Sequence, residues 1–307
     1  MELSPDAVLT LDDLVAWSFR GTALAVLGHP IAHSLSPPMH NAALAALACQ
    51  NTAFAQWRYF RFDVPPNRLG EALDRLHACG FLGLNLTVPH KVLAFGLVHQ
   101  ITPEAVPLGA VNTLLRTPDG WRGHNTDGYG LATALREELG VTLRDTPVVL
   151  LGAGGAARGA AVECLQQGCA SLWIANRTAA RLDAMIAALR PLAGRTPMFG
   201  FAPDTPPAAL PPGALVVNAT SAGLKPGDPT PIDLRRLPRP SNVYDMIYNP
   251  ACTSLLTQAA ALGLPHASGL AMLVHQGARA LEIWTETAVS AATMRTAAER
   301  ALAALRK

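Results

Sequence analysis

Charge is scarce in this chain and nowhere concentrated. Only 15% of the 307 residues are charged, the formal net charge is +2, and no run of Lys or Arg stands out. That excludes nucleic acid as the main partner, because phosphate binding needs a concentrated basic patch. Cysteine is equally thin. Cys49, Cys79, Cys164, Cys169 and Cys252 form no Cys-x-x-Cys pair. Their odd number and scatter fit reduced thiols of a cytoplasmic protein, packed as small hydrophobes in helices, better than a disulfide framework. Long apolar runs are missing too. No stretch of about 20 residues escapes Gly, Pro or charge, so no membrane-spanning helix is expected. The opening residues Met-Glu-Leu-Ser-Pro-Asp have no basic region ahead of an apolar one, so no signal peptide is expected. His33, His40, His90 and His124 share no metal-ligand spacing, and no metal is assigned.

Half of the residues are hydrophobic, and the length suggests two domains of ordinary size. Strand-like and helix-like segments alternate: Thr22–Gly28 and Pro37–Cys49, Phe54–Val64 and Asn67–Ala78, then Phe81–Val88. A hairpin is predicted across Pro118-Asp119-Gly120, joining Val111–Arg116 to Trp121–His124. A helix from Tyr129 to Leu139 leads into Pro147–Leu151, Ala156–Gln167, Ser171–Ala175 and Ala179–Leu189. Ala214–Asn218 and Asn242–Asp245 read as short strands, and the tail from Leu270 reads as helix almost to the end. Such alternation implies an α/β chain with parallel sheet and covering helices.

Val148–Leu151 runs into Gly152-Ala153-Gly154-Gly155-Ala156-Ala157 and then a helix. A dinucleotide needs this context: glycines let the backbone approach the pyrophosphate, and the helix N-terminus offers free N–H groups. An NAD site wants an acid about 20 residues on, for the ribose hydroxyls. Here the next strand ends in Asn176-Arg177-Thr178-Ala179-Ala180-Arg181, with no acid. Two arginines where the helix dipole disfavours cations point to a missing anion, which the 2′-phosphate of NADP would supply. Two solvated arginines are the plainer alternative.

The first half carries unusual polar residues. In His33-Ser34-Leu35-Ser36-Pro37-Pro38, Pro37 pushes Ser36 toward extended backbone, aligning the hydroxyls of Ser34 and Ser36. Alternatively Ser36 simply caps the helix that follows. Asn85 and Thr87 alternate onto one side of a strand, and Lys91 sits in a helix first turn, where a cation is misplaced unless it is simply a surface lysine. Asn112 interrupts an apolar segment, and Asp127 precedes a helix as a candidate cap or functional acid.

With these blocks in view the chain resembles the shikimate dehydrogenase family over nearly its whole length. Gly28–Pro37, Asn85–Lys91, Gly109–Thr113, Asn125–Gly128, Gly152–Ala156, Asn176–Thr178, Asn218–Ser221, Tyr244–Pro250 and Gly269–Gly277 carry the likeness in family order. The resemblance implies a two-domain α/β fold. Residues 1–126 and 270–307 would form an α/β substrate-binding domain, and 127–269 a Rossmann-type NADP domain. It implies that Ser34 and Ser36 hold the substrate carboxylate, with Tyr248 near it. Thr87, Asn112, Asp127 and Gln276 would take ring hydroxyls, Asn85 would belong to the same site, and Lys91 and Asp127 would be the catalytic pair. Gly152, Ala153, Gly154, Gly155 and Ala156 would bind pyrophosphate. Asn176, Arg177, Thr178 and Arg181 would take the 2′-phosphate, and Met246 and Gly269 would lie by the nicotinamide.

The implied activity is NADPH-dependent reduction of 3-dehydroshikimate to shikimate, a step toward chorismate and the aromatic amino acids. An NAD-using quinate or shikimate dehydrogenase of the same family is one alternative, and a non-catalytic nucleotide sensor is another. Two departures stand out: Leu86 where Val is usual, and Trp284-Thr285-Glu286 where the family has Trp-Thr-Gly. The first 20 residues are expected either to pack on the first domain or to form a homodimer contact.

Overall fold

The computed structural model describes residues 7–225 and 227–305. The opening six residues, which bear on a signal peptide, lie outside the described residues. The chain divides into two compact units, Met1–Thr126 with Gln276–Lys307, and Asp127–His275.

The first unit is built on β1 (Val8–Leu9), β2 (Thr22–Gly28), α1 (Ser36–Gln50), β3 (Trp57–Asp63), α2 (Leu69–Ala78), β4 (Gly83–Leu86), α3 (His90–Leu93), β5 (Gln100–Ile101), β6 (Thr113–Thr117) and β7 (Gly120–His124). Its seven strands form one sheet in the order β1-β3-β2-β4-β6-β7-β5. The sheet is mixed, because the expected hairpin β6–β7 forms and β6 runs antiparallel to β4. Leu27, Phe60, Phe62, Phe81 and Leu84 are buried in its core. The residues ahead of β2 join that core. Leu9, Leu11 and Leu14 are buried in it, and the Trp17 ring lies 4.7 Å from that of Phe81. Over the described residues, then, the N-terminal extension packs on its own unit.

The second unit runs α4 (Asp127–Leu139), β8 (Pro147–Leu151), α5 (Gly155–Gln166), β9 (Ser171–Ala175), α6 (Ala179–Leu189), β10 (Met198–Phe201), β11 (Leu215–Asn218), β12 (Asn242–Asp245), α7 (Ser254–Ala261) and β13 (His266–Ser268). All six strands pair in parallel, in the order β10-β9-β8-β11-β12-β13. The order reverses at β8, the switch point where ligands of open α/β sheets bind beyond the strand ends. Central strands of such a sheet are covered on both faces, so Val148–Leu151 and Leu215–Val217 are fully apolar and buried.

The helical tail is α8 (Leu270–Thr285) and α9 (Ala291–Ala304), split where one continuous helix was expected. Glu286, just past the end of α8, has a φ of 51°, and the Ser290 hydroxyl caps α9 by accepting from the Thr293 N–H at 3.2 Å. Left-handed backbone after a helix ends it, and glycine is the usual residue there. The departure from Trp-Thr-Gly thus places Glu in a conformation that suits Gly. In the first unit α9 packs on α1, and the indole N–H of Trp284 donates to the Leu114 carbonyl at 2.9 Å. Among the described residues, no helix is long and apolar enough to cross a membrane.

Candidate active site

The polar residues of the first unit gather at the C-terminal ends of β2 and β4. The Thr87 N–H donates to the Leu27 carbonyl at 3.0 Å, and the Val111 N–H donates to the Lys91 carbonyl at 2.9 Å. The segments Asn85–Lys91 and Val111–Thr113 are therefore stitched to each other and to the end of β2. Thr87 reaches its place because residue 28 has no side chain; a Cβ on Gly28 would lie 2.6 Å from Thr87 Cγ2.

Asn112 is 1% exposed. Its Oδ1 accepts from the Thr126 N–H at 2.8 Å, and its Nδ2 donates to Thr126 Oγ1 at 3.0 Å and Gln276 Oε1 at 3.3 Å. The structure thus brings Asn112 and Gln276 together across 164 positions. Asn85 is also buried. Its Nδ2 donates to the Asn112 carbonyl at 3.1 Å and to Thr113 Oγ1 at 3.0 Å, while its Oδ1 accepts from the Tyr59 hydroxyl at 2.7 Å.

Ser36 departs from the extended conformation expected for it, and it is not a cap. It is the first residue of α1, with Leu35 at the cap position and no side-chain cap bond. The bias against helical backbone before proline is overridden because His40 Nδ1 lies 2.8 Å from the Ser36 carbonyl, holding the turn closed. Burial lowers the pKa of His40 to about 4, so the neutral ring donates from Nδ1. The Ser36 N–H donates to Ser34 Oγ at 3.3 Å, which keeps the two serine hydroxyl positions adjacent.

In the second unit Gly152 has a φ of 113°. It lets the chain leave β8 and turn into α5. Gly154 and Gly155 differ: a Cβ on either would meet nothing within 4 Å. Protein packing does not require glycine there, so the bare backbone is open to a ligand. Neither α5 nor α6 has a side-chain cap bond or an acid in its first turn. Both N-termini therefore leave N–H groups and positive dipole ends for an anion. Between them lies a cavity of about 420 Å³ lined by Ala153, Gly154, Gly155, Arg158, Arg181 and Met185. Arg158 was not singled out from the sequence. The dipole argument that flagged Arg177 also applies to it, a cation in the first turn of α5. Asn176 Nδ2 donates to the Thr178 carbonyl at 2.9 Å, shaping the turn that leaves Arg177 exposed.

Met246 and Gly269 sit against each other. A Cβ on Gly269 would lie 2.0 Å from the Met246 carbonyl oxygen, so only glycine admits this approach. The loop beginning at Met246 hangs on Asp245, a buried carboxylate that sequence reasoning passed over. It accepts from Asn218 Nδ2 at 2.9 Å, the Ile247 N–H at 3.0 Å and the Thr253 hydroxyl at 2.6 Å. Burial raises its pKa against the pull of these bonds. Tyr248 lies in the same loop, half-buried, its phenol pKa raised by burial. Asp127 opens α4 in this unit.

Comparison with known proteins agrees with this layout. Residues 26–114 match the shikimate dehydrogenase substrate binding domain, and residues 269–299 match the shikimate 5'-dehydrogenase C-terminal domain. The shikimate dehydrogenase (NADP(+)) of Symbiobacterium thermophilum is 42% identical over 92% of this chain and 95% of its own length. This chain belongs to the shikimate dehydrogenase family. A solved shikimate 5-dehydrogenase from Thermus thermophilus, in complex with NADP(H) and shikimate, is 35% identical with a TM-score of 0.79, over 91% of this chain and 99% of that one. The ligand-free 5-ketofructose reductase of a Gluconobacter strain is similar too, 31% identical with a TM-score of 0.80 over 92% and 99%. The fold therefore serves more than one carbonyl substrate.

Proposed function

We propose that the chain is an NADP-dependent shikimate dehydrogenase, reducing 3-dehydroshikimate to shikimate and running the reverse oxidation with NADP+. What carries the reading is the 42% identity, over 92% of the chain, to an enzyme of that name. In it the unit holding β1–β7 binds the substrate, consistent with the match of residues 26–114 to a substrate binding domain. The unit holding β8–β13 binds the cofactor. The residues present fit NADP: bare Gly154 and Gly155 for the pyrophosphate, uncapped N-termini of α5 and α6, and Arg158, Arg177 and Arg181 for phosphate charge. Gly152, Ala153 and Ala156 shape the same turn, Asn176 and Thr178 the second one, and Met246 and Gly269 the nicotinamide end.

NADPH supplies the hydride when bound. The remaining work falls to side chains. Ser34 and Ser36 take the ring carboxylate, with Tyr248. Thr87, Asn112, Asp127 and Gln276 take ring hydroxyls, and Asn85 supports them from behind. Lys91 and Asp127 hold the reacting oxygen by hydrogen bonds, and one of them gives up the proton as the alkoxide forms. General acid–base catalysis of this kind contributes about 10²–10⁴-fold.

The test is a substrate panel of shikimate, quinate and reduced 5-ketofructose, each with NADP+ and NAD+, read by absorbance of the reduced nicotinamide. Shikimate with NADP+ should dominate. Lys91→Ala should lower kcat by at least about 10²-fold with a smaller change in KM. Preference for quinate with NAD+, or near-normal kcat in folded Lys91→Ala, would overturn the reading.

A further inference from the structure

One buried phenol of the first unit has no part in the mechanism above. Tyr59 lies in β3 and is 0% exposed. Burying a hydroxyl without partners is costly, and an ordinary core position would hold Phe or Leu instead. Three interactions fix this tyrosine in place. Among the described residues β1 pairs only with Arg61 and Phe62 of β3, beyond Tyr59. The Asn41 side chain holds its backbone, with Nδ2 donating to the Tyr59 carbonyl and Oδ1 accepting from its N–H, both at 2.9 Å. The ring stacks on His40 with centroids 4.0 Å apart and planes 14° apart. The hydroxyl donates to Asn85 Oδ1 at 2.7 Å.

The hydroxyl bond and the His40 stack of the Tyr59 side chain both lead to the polar site. His40 bonds the Ser36 carbonyl, and Asn85 bonds the Asn112 carbonyl and Thr113. An amide such as that of Asn85 can flip end for end. A donor aimed at Oδ1 selects the one orientation that leaves both Nδ2 hydrogens for Asn112 and Thr113. We infer that Tyr59 is a positioning residue for the substrate: its hydroxyl fixes the orientation of the Asn85 amide, its ring backs the His40 that holds the Ser36 turn, and so it sets the affinity for a carboxylated polyhydroxy ring. This rests on reading the first unit as the shikimate-binding unit. His40, Asn41, Asn85 and Ser36 all belong to that unit, so the effect of Tyr59 falls on the substrate side.

The experiment is Tyr59→Phe, which removes one oxygen and keeps the ring stack. Shikimate KM, and its Kd by calorimetry, should rise about tenfold, the loss expected when one hydrogen bond that orders a site is removed. kcat should stay within about threefold and KM for NADP+ within about twofold. A purely structural role would lower Tm and leave the shikimate KM alone, or would move both Michaelis constants together, and either outcome overturns the proposal. Combining Tyr59→Phe with Asn85→Ala should raise KM by clearly less than the product of the single effects, and a full product counts against action through Asn85.

Should Tyr59→Phe fail to fold because Asn85 Oδ1 is stranded, Tyr59→4-aminophenylalanine keeps a ring donor for that oxygen and leaves the Asn85 bonds to Asn112 and Thr113 intact. It should fold with a shikimate KM within about threefold of wild type, and a KM raised about tenfold in that folded variant would refute the inference. Failure of the underlying reading looks different: the wild-type protein would then bind no shikimate at all.

Discussion

The glycine-rich turn after β8 offers a test that separates a residue needed by the fold from one needed by the cofactor. Gly152 has a φ of 113°, and a Cβ there would lie 3.0 Å from Thr220 Cγ2 and 3.2 Å from the Ala219 carbonyl oxygen. Backbone strain of this kind costs about 1–3 kcal/mol, and the close contacts add to it. Gly152→Ala should therefore destabilise the protein by about 2 kcal/mol or more, a fall in Tm of roughly 4–8 °C. Gly154 is the contrasting case. Its φ is −98°, which any residue adopts, and a Cβ would meet nothing within 4 Å. Gly154→Ala should leave stability unchanged or raise it by about 0.4–1 kcal/mol through the unfolded chain. The new methyl would instead stand where the pyrophosphate approaches the backbone. Losing one hydrogen bond to a charged group is worth about 1.5–3 kcal/mol, so NADPH Kd should rise about 10–100-fold. Scanning calorimetry and a fluorescence titration of NADPH on both variants supply the two numbers. A Gly154→Ala protein that loses stability but binds NADPH normally would refute the idea that this turn cradles the cofactor.

Arg177 should govern cofactor choice. The wild type should prefer NADP over NAD by at least about 10²-fold in kcat/KM, and Arg177→Asp should erase most of that preference at one fixed ionic strength; equal use of both cofactors by the wild type would contradict this. Glu286→Gly relieves the left-handed backbone that closes α8 and should add about 1 kcal/mol, raising Tm by roughly 2–4 °C. His40 should make the protein acid-sensitive. Its folded pKa of about 4 lies below the ordinary value of 6.5, so the unfolded chain takes up the proton first. Stability attributable to it is full above pH 6.5 and falls as pH drops toward 4, by about 3 kcal/mol in all. Urea denaturation at about pH 7 and about pH 4.5 should show a smaller fall in His40→Asn, which keeps a donor for the Ser36 carbonyl; identical falls would exclude His40 as the cause.

Much of the fold was legible because its signals are local. The apolar runs Val148–Leu151 and Ser171–Ala175, the Pro118-Asp119-Gly120 turn and the glycine after β8 each announce their structure within a few residues. The misreadings have equally local causes. The α8–α9 break was hidden because Glu286 occupies the left-handed position where glycine would have marked a helix end. Ser36 reads as extended or capping because the contact that closes its turn comes from His40, a side chain whose burial depends on tertiary packing. Helix α7 and strands β10 and β13 escape a linear reading because they are short and their hydrophobic period is too brief to count.

The two halves of the proposed site differ in legibility for one physical reason. The cofactor half is made of backbone. Apart from Met246 and Gly269 at the nicotinamide end, its glycines, helix N-termini and arginines lie in two contiguous stretches, 152–158 and 176–181, so most of its chemistry is written in order along the chain. The substrate half is made of side chains that meet only after folding. Asn112 bonds Gln276 across 164 positions, and Tyr59 bonds Asn85 across 26. Within a linear reading Tyr59 is one aromatic in an aromatic strand, Trp57-Arg58-Tyr59-Phe60, where burial alone explains it. Its hydroxyl becomes informative only when the acceptor it faces is known. Buried polar groups must find partners, and those partners are chosen by topology rather than by sequence neighbourhood. A positioning residue such as Tyr59 is therefore what a sequence conceals, whereas the glycines and arginines proposed for the cofactor phosphates stand in order along the chain.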